Sequence, residues 1–314
     1  MDKGFKLLPE QASTLAGKID LLYFFLVLVS LFFAALIFFL IYIFVVKYRR
    51  RSEDEVPKEL PGLLKLELLW TIIPLILVLV VFAWGASLYF TSYSPPEDVL
   101  EIFVVGKQWM WYVQHPTGQR EINELHVPID RAVKLTMATE DVIHSFYIPA
   151  FRIKKDVVPG RYTTMWFEAT KPGEYHLFCA EYCGTKHSEM RGRVVVMEPN
   201  DYQNWLSGGA GTEPMKVSGE KKFQQLACHT CHKEVPGARG PSLVGIFGQP
   251  VLLESGQTML VNEDYIRESI LTPNAKIKAG FKPVMPTFKG QIDEISLLQI
   301  TAYIKSLSKD RSND

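Results

Sequence analysis

At 314 residues the chain has room for roughly two or three domains. Its 34 basic and 34 acidic residues cancel, so nothing in the charge calls for nucleic acid, and no nucleic-acid partner is expected. Hydrophobic residues make up 47% of the chain, much of it in two N-terminal runs, which argues against a single soluble globule.

The first run, residues 21–46, carries no charge and as a helix would measure about 39 Å, enough to cross a bilayer with tilt. The second stays apolar from Leu68 to about Phe90, with Pro74 near its start, where a missing N–H costs little. A signal peptide has an apolar core of only ~7–15 residues, and both runs are longer. They predict transmembrane helices at about 20–46 and 67–92 within an anchor spanning 1–94. The loop between them carries Lys47, Arg49, Arg50, Arg51, Lys58 and Lys65, against Lys3, Lys6 and Lys18 in the tail. That excess places the loop in the cytoplasm. Both termini, and everything after about Ser94, then lie on the outer, periplasmic side of a bacterial cell membrane. Membrane lipid is therefore an expected partner, with Tyr23, Trp70 and Tyr93 among the interface aromatics.

After Pro95-Pro96 the pattern changes to short β-type runs at 100–105, 132–138, 163–168, 174–178 and 191–197, separated by turn signals such as Pro159-Gly160 and Pro172-Gly173. A domain at 95–200 built as a β-sandwich or barrel follows. Within it, Cys179, Cys183, His187 and Met190 crowd two thiols, an imidazole and a thioether into one short segment. Such ligands select copper, zinc or iron–sulfur centres, and zinc would not ordinarily recruit the methionine. A mononuclear blue-copper site needs a single cysteine. Two cysteines can bridge two coppers, each also needing an imidazole and a weak axial group. His144 is the best second imidazole, and a backbone carbonyl must supply the remaining axial position.

The motif C-x-E-x-C-x-x-x-H-x-x-M at Cys179–Met190 and the segments Asp141-Val142-Ile143-His144-Ser145-Phe146 and Gly106-Lys107-Gln108-Trp109-Met110-Trp111 resemble cytochrome c oxidase subunit II over about residues 15–200. The resemblance implies a cupredoxin-like β-barrel holding a binuclear copper centre, CuA. It pairs His144 and Met190 with one copper, and His187 and the Glu181 carbonyl with the other. The Glu181 side chain would face a magnesium site shared with subunit I. Trp109 and Trp111 would lie near the patch where electrons come in, a plain aromatic core pair being the alternative. Lys107 and Met110 depart from the family's usual histidine and tyrosine, away from the copper ligands. Glu67, in Leu66-Glu67-Leu68-Leu69-Trp70-Thr71-Ile72-Ile73-Pro74, matches a family glutamate near the mouth of a proton path into subunit I, or is simply an interfacial charge.

A linker is expected over 201–217, from the run Ser207-Gly208-Gly209-Ala210-Gly211-Thr212-Glu213-Pro214. Beyond it, 218–314 reads as α-rich: a short helix at 219–226, and Leu297, Ile300, Ile304 and Leu307 on one face of a final helix. Cys228-His229-Thr230-Cys231-His232 is a C-x-x-C-H motif, the signal for covalent haem c, with His232 as the proximal iron ligand. No histidine follows His232, so the sixth ligand falls to Met259 or Met285. Pro283-Val284-Met285-Pro286-Thr287-Phe288 resembles the M-P-x-F signature of class I c-type cytochromes, which implies Met285 and an all-α fold.

The whole reads as a multidomain membrane protein: a two-helix transmembrane hairpin, a cupredoxin domain and a fused cytochrome c domain. The resemblance implies subunit II of a proton-translocating cytochrome c oxidase in a respiratory chain. Electrons would pass from an external donor, a cytochrome c or another small redox protein, through haem c and CuA to haem a of subunit I, where oxygen is reduced. Rival readings are the CuA and haem c subunit of a nitric oxide reductase, and a copper-binding or disulfide-stapled membrane scaffold.

Overall fold

The computed structural model describes residues 8–56, 62–208 and 213–309, which form two units. Lys3, Lys6 and Lys58 of the topology argument, and 209–212 of the expected linker, lie outside the described residues.

One unit, residues 14–94, is a helical hairpin: α1 (Ala16–Lys47) and α2 (Leu64–Tyr93). Both run a few residues past the uncharged stretches because backbone hydrogen bonding continues into the polar flanks. Pro74 lies inside α2 and removes one backbone donor without ending the helix. Phe25 meets Trp84 across the hairpin at 5.5 Å. Large apolar side chains such as Phe38 (75% exposed) and Phe82 (71%) point outward, a surface that suits hydrocarbon rather than water.

The other unit, residues 1–13 and 95–314, begins with ten strands. These are β1 (Leu100–Lys107), β2 (Met110–Gln114), β3 (Arg120–Ile122), β4 (Glu124–Pro128), β5 (Ala132–Thr139), β6 (His144–Ile148), β7 (Ile153–Val157), β8 (Thr163–Glu168), β9 (Gly173–Cys179) and β10 (Arg191–Met197). They make two five-stranded sheets, β3-β2-β1-β5-β8 and β4-β10-β9-β6-β7. The pairs β1–β5 and β4–β10 are parallel and the others antiparallel. Of the expected sandwich or barrel, the strands form the sandwich, two sheets face to face with Trp111, Phe146, Leu135 and Leu177 fully buried between them. The N-terminal segment is laced to it: Ala12 N–H donates to the Ala150 carbonyl and Thr170 N–H to the Ala12 carbonyl, both at 3.0 Å.

The central strands do not show the alternation of a half-exposed sheet. From Ile102 to Gly106, β1 is buried on both faces, and β5 is nearly so. The reason is the C-terminal segment. It comprises α4 (Met215–Gln225), a hairpin of β11 (Pro250–Leu252) and β12 (Thr258–Leu260), α5 (Glu263–Leu271) and α6 (Glu294–Lys309). Met215 and Leu298 pack with Phe103, Val105, Ala138 and Tyr162 in one buried cluster on the outer side of the first sheet.

Two expectations are corrected here. The C-terminal segment is not all-α, because Gly256 at positive φ turns the β11–β12 hairpin. Nor is 201–217 a linker throughout. Helix α3 (Pro199–Gly208) occupies its start and α4 its end. Aromatic stacking holds α3: Trp205 lies on the His126 ring at 4.5 Å and 15°, and Tyr202 bonds the buried His115 at 3.1 Å.

Candidate metal centre and the C-x-x-C-H cavity

Cys179 ends β9, Met190 precedes β10, and the loop between them folds back against the start of β6, which carries His144. The sulfurs of Cys179 and Cys183 stand 3.8 Å apart as free thiols. His144 Nδ1 lies 3.9 Å from the Cys179 sulfur, and His187 Nδ1 3.4 Å from that of Cys183. Met190 Sδ is 3.7 Å from the Cys183 sulfur, and the Glu181 carbonyl 3.3 Å from that of Cys179. All six predicted donors therefore converge. Two thiols, two imidazoles, a thioether and a carbonyl make a soft set that suits copper.

Burial raises both thiols. At Cys179 the His144 ring and backbone contacts outweigh it and bring the thiol down to about 7. At Cys183 burial and the neighbouring Cys179 charge act together and push it up to about 12. Two bare thiolates repel each other at this spacing, and a cation between them removes that cost.

Three residues that the sequence reading did not single out hold the ligands in place. Asp141 accepts the Nε2 proton of His144 at 2.8 Å and the backbone N–H of Gln108 at 2.7 Å. The Gln108 side chain donates to the Cys183 carbonyl at 2.8 Å, joined by Trp109 Nε1 at 3.2 Å. Gly106 makes room for the first imidazole, since a Cβ there would stand 3.0 Å from the His144 ring. A carboxylate three residues before a ligand histidine was the available signal for Asp141.

The second cysteine pair borders a cavity of about 280 Å³ in the C-terminal segment. Ala227, at φ 57°, ends the helical run of α4 and opens the tight turn Cys228–Thr230. Both thiols are half-buried and unpaired. His232 Nδ1 bonds the Pro241 carbonyl at 2.8 Å, leaving Nε2 as its free ring nitrogen. Burial lowers this imidazole, which favours the neutral, metal-binding form. Gly240 is required beside it, because a Cβ would come within 2.9 Å of the ring. Met285 lines the cavity with Leu243, Ile266 and Ile300, whereas Met259 is not among its lining residues. An apolar cleft with two thiols, an imidazole and a thioether on its walls fits a covalently held haem.

The profile of the cytochrome c oxidase subunit II transmembrane domain matches residues 3–87, and that of the subunit II periplasmic domain matches 118–198. Cytochrome c oxidase subunit 2 of Alkalihalophilus pseudofirmus is 30% identical over 297 residues, covering 90% of this chain and 84% of the relative. The chain belongs to the cytochrome c oxidase subunit II family. It is accordingly a membrane protein and a component of an oxidoreductase. The subunit 2 of Thermostichus vulcanus is 31% identical, over 63% of this chain and 77% of the relative. The crystallised periplasmic domain of subunit II from Bradyrhizobium japonicum is 31% identical over 37% of this chain and 96% of that one, with a TM-score of 0.35. Neither subunit II profile reaches past residue 198, while the A. pseudofirmus match runs on into the C-terminal segment.

Against this family background, the remaining predicted residues divide. Trp109 is half-buried beside the metal loop. Trp111 is fully buried, packed edge-on against Phe146 at 4.9 Å and the His144 ring at 5.7 Å. It is a core residue behind the His144 ring, so a surface patch for incoming electrons can use Trp109 but not Trp111. Glu67 sits in the first turn of α2, with its side chain exposed. The Glu181 side chain is exposed as well, free to face a neighbouring subunit.

Proposed function

We propose that this subunit II chain is the electron-accepting arm of a haem–copper cytochrome c oxidase and carries its own c-type haem. The reading is carried by one observation: two cysteine pairs in one extramembrane unit, each surrounded by a different and complete donor set. Cys179, Cys183, His144, His187, Met190 and the Glu181 carbonyl would hold CuA. Cys228 and Cys231 would form thioethers to haem c, with His232 and Met285 on the iron.

The copper pair would supply a one-electron acceptor with its charge shared over two metals, and the haem a one-electron carrier whose potential is raised by Met/His ligation. The chain's own residues keep both sites stiff. Asp141 fixes the tautomer and angle of His144, and Pro241 does the same for His232. Such restraint limits how far ligands move when charge changes. Oxygen chemistry belongs to subunit I, with which this chain would assemble alongside other oxidase subunits. Reductant would come from an external cytochrome c or similar small redox protein.

The two-helix anchor supports a bacterial cell-membrane location, with the cofactor domains and both termini on the periplasmic side. Trp109 is the proposed contact for incoming electrons. Glu67 is the proposed mouth of a proton path, and the Glu181 side chain a proposed magnesium contact at the subunit I interface.

Metal and haem analysis of the purified chain tests the whole. Two coppers with a purple absorption and one haem that survives denaturing electrophoresis are expected. A single copper with a blue spectrum removes the binuclear centre, and the absence of covalent haem removes the donor. Oxygen rather than nitric oxide consumption by the assembled complex separates the oxidase from a reductase of the same cofactors.

A further inference from the structure

The outer face of the neighbouring strands β1 and β5 is occupied by the chain's own C-terminal segment, and the contact is more than apolar. Lys305 of α6 reaches Glu101 of β1 at 2.6 Å and Glu263 of α5 at 2.9 Å. Lys134 of β5 closes the ring, 3.2 Å from Glu101 and 3.7 Å from Glu263. These four side chains are only 17–22% exposed, so salt screens them poorly. Removing one would leave its partners charged and half-desolvated. Beside the ring, Asp264 accepts the Tyr162 N–H at 2.7 Å, and Arg267 donates to the Gly160 carbonyl at 2.7 Å.

The connection between the domains is fastened too. The turn between β2 and β3, Pro116-Thr117-Gly118-Gln119, touches both sides of it. Gln119 donates to the Leu206 carbonyl at the end of α3, and the Pro116 carbonyl accepts the Met215 N–H at 3.0 Å where α4 begins. Gly118 adopts φ +106°, and a Cβ there would lie 2.3 Å from the Glu213 carbonyl oxygen. Backbone is thus pressed on backbone at the point where a free tether would need slack.

From the charge ring and this clasp together, we infer that the C-terminal domain works from its seat on the β1–β5 face and does not swing out on a tether to collect electrons. An external donor must then come to the seated domain, and that face of the sandwich is closed to any donor. The inference rests on the haem reading above, since only an electron-carrying domain has a reason to travel.

The test locks the seat in the assembled oxidase. A zero-length carbodiimide should join the Lys305 ammonium to the Glu101 carboxylate as an amide, detectable by peptide mass spectrometry. Lys305→Arg keeps the charge but cannot form that amide, and so controls for modification elsewhere. Locked enzyme is expected to turn over with an external donor as fast as the identically treated Lys305→Arg enzyme. A loss of about tenfold or more confined to the locked enzyme overturns the inference, as does failure of the Lys305–Glu101 amide to form. Haem staining of the same sample keeps the two claims apart. A locked chain that retains haem but loses turnover defeats the fixed seat, whereas a chain without haem defeats the function proposed above.

Discussion

Asp141 takes the Nε2 proton of His144 at 2.8 Å, and this turns the other ring nitrogen towards the Cys179 sulfur 3.9 Å away. The carboxylate also accepts the backbone N–H of Gln108, whose side chain reaches the Cys183 carbonyl. One aspartate therefore ties the histidine ligand to the loop that bears the second thiol.

Asp141→Ala should weaken copper binding by about 10–100-fold, the usual effect of losing a carboxylate behind a ligand histidine. Competition against a copper chelator measures it. An unchanged affinity would mean that packing against Trp111 alone orients His144.

Met285→Leu keeps the volume of the cavity wall and removes the thioether. Haem attachment through Cys228 and Cys231 should persist, while the weak near-infrared absorption of a sulfur–iron bond should vanish. If the band survives, the ligand is Met259 rather than Met285.

The contact between the sandwich and the C-terminal segment should depend on pH at both extremes. Burial raises the Glu101 carboxyl, but Lys305 and Lys134, with a hydrogen bond from Thr136, outweigh it and hold it below the ordinary carboxylate range. Burial lowers Lys305, but Glu101 and Glu263 outweigh it and hold the ammonium above its ordinary range. A lowered carboxyl stabilises the folded contact above its unfolded-state value, and that stabilisation fades as pH falls through the folded value. A raised ammonium stabilises the contact below its unfolded-state value, with the loss coming as pH rises through the folded one. The contact should therefore hold through neutral pH and loosen at both the acid and the alkaline end. Hydrogen exchange of the α4 and α6 amides against pH reads this directly. Glu101→Gln should flatten the acid limb, and protection indifferent to pH in the native chain would contradict the assignment.

Glu67→Gln should slow turnover of the assembled oxidase several-fold while leaving copper and haem content intact, as removal of an acid–base group does without loss of structure. Native turnover in that variant would leave Glu67 as an interfacial charge only.

Much of this architecture was legible in the chain, and the illegible portion has identifiable causes. The spans, the five strands at 100–105, 132–138, 163–168, 174–178 and 191–197, and both cysteine motifs are local signals that tertiary contacts only sharpen. The strands β2, β3, β4, β6 and β7 are short and polar in part, as in Ile153-Lys154-Lys155-Asp156-Val157, so they lack an apolar period. Helix α3 leaves little local signal of its own, because its anchors, His115 and His126, are distant in sequence. The domain contact did leave a trace. The unbroken apolar run Ile102-Phe103-Val104-Val105 in β1 is what a strand covered on both faces requires. In the same way α6 carries two apolar stripes. Leu297, Ile300 and Ile304 belong to the core around the cavity, and Ile295, Leu298 and Ala302 to the cluster on the sheet. A single periodic stripe, Leu297, Ile300, Ile304 and Leu307, is what the sequence shows plainly, since a surface helix ordinarily buries one face.

A helix gripped along two of its sides has little liberty to rattle. Because α6 is both a wall of the C-x-x-C-H cavity and a beam bolted to the sandwich, a thermal shove on either side is shared with the other. In the proposed haem-to-copper route, the gap across which an electron would have to tunnel is thereby kept to a narrow spread of values.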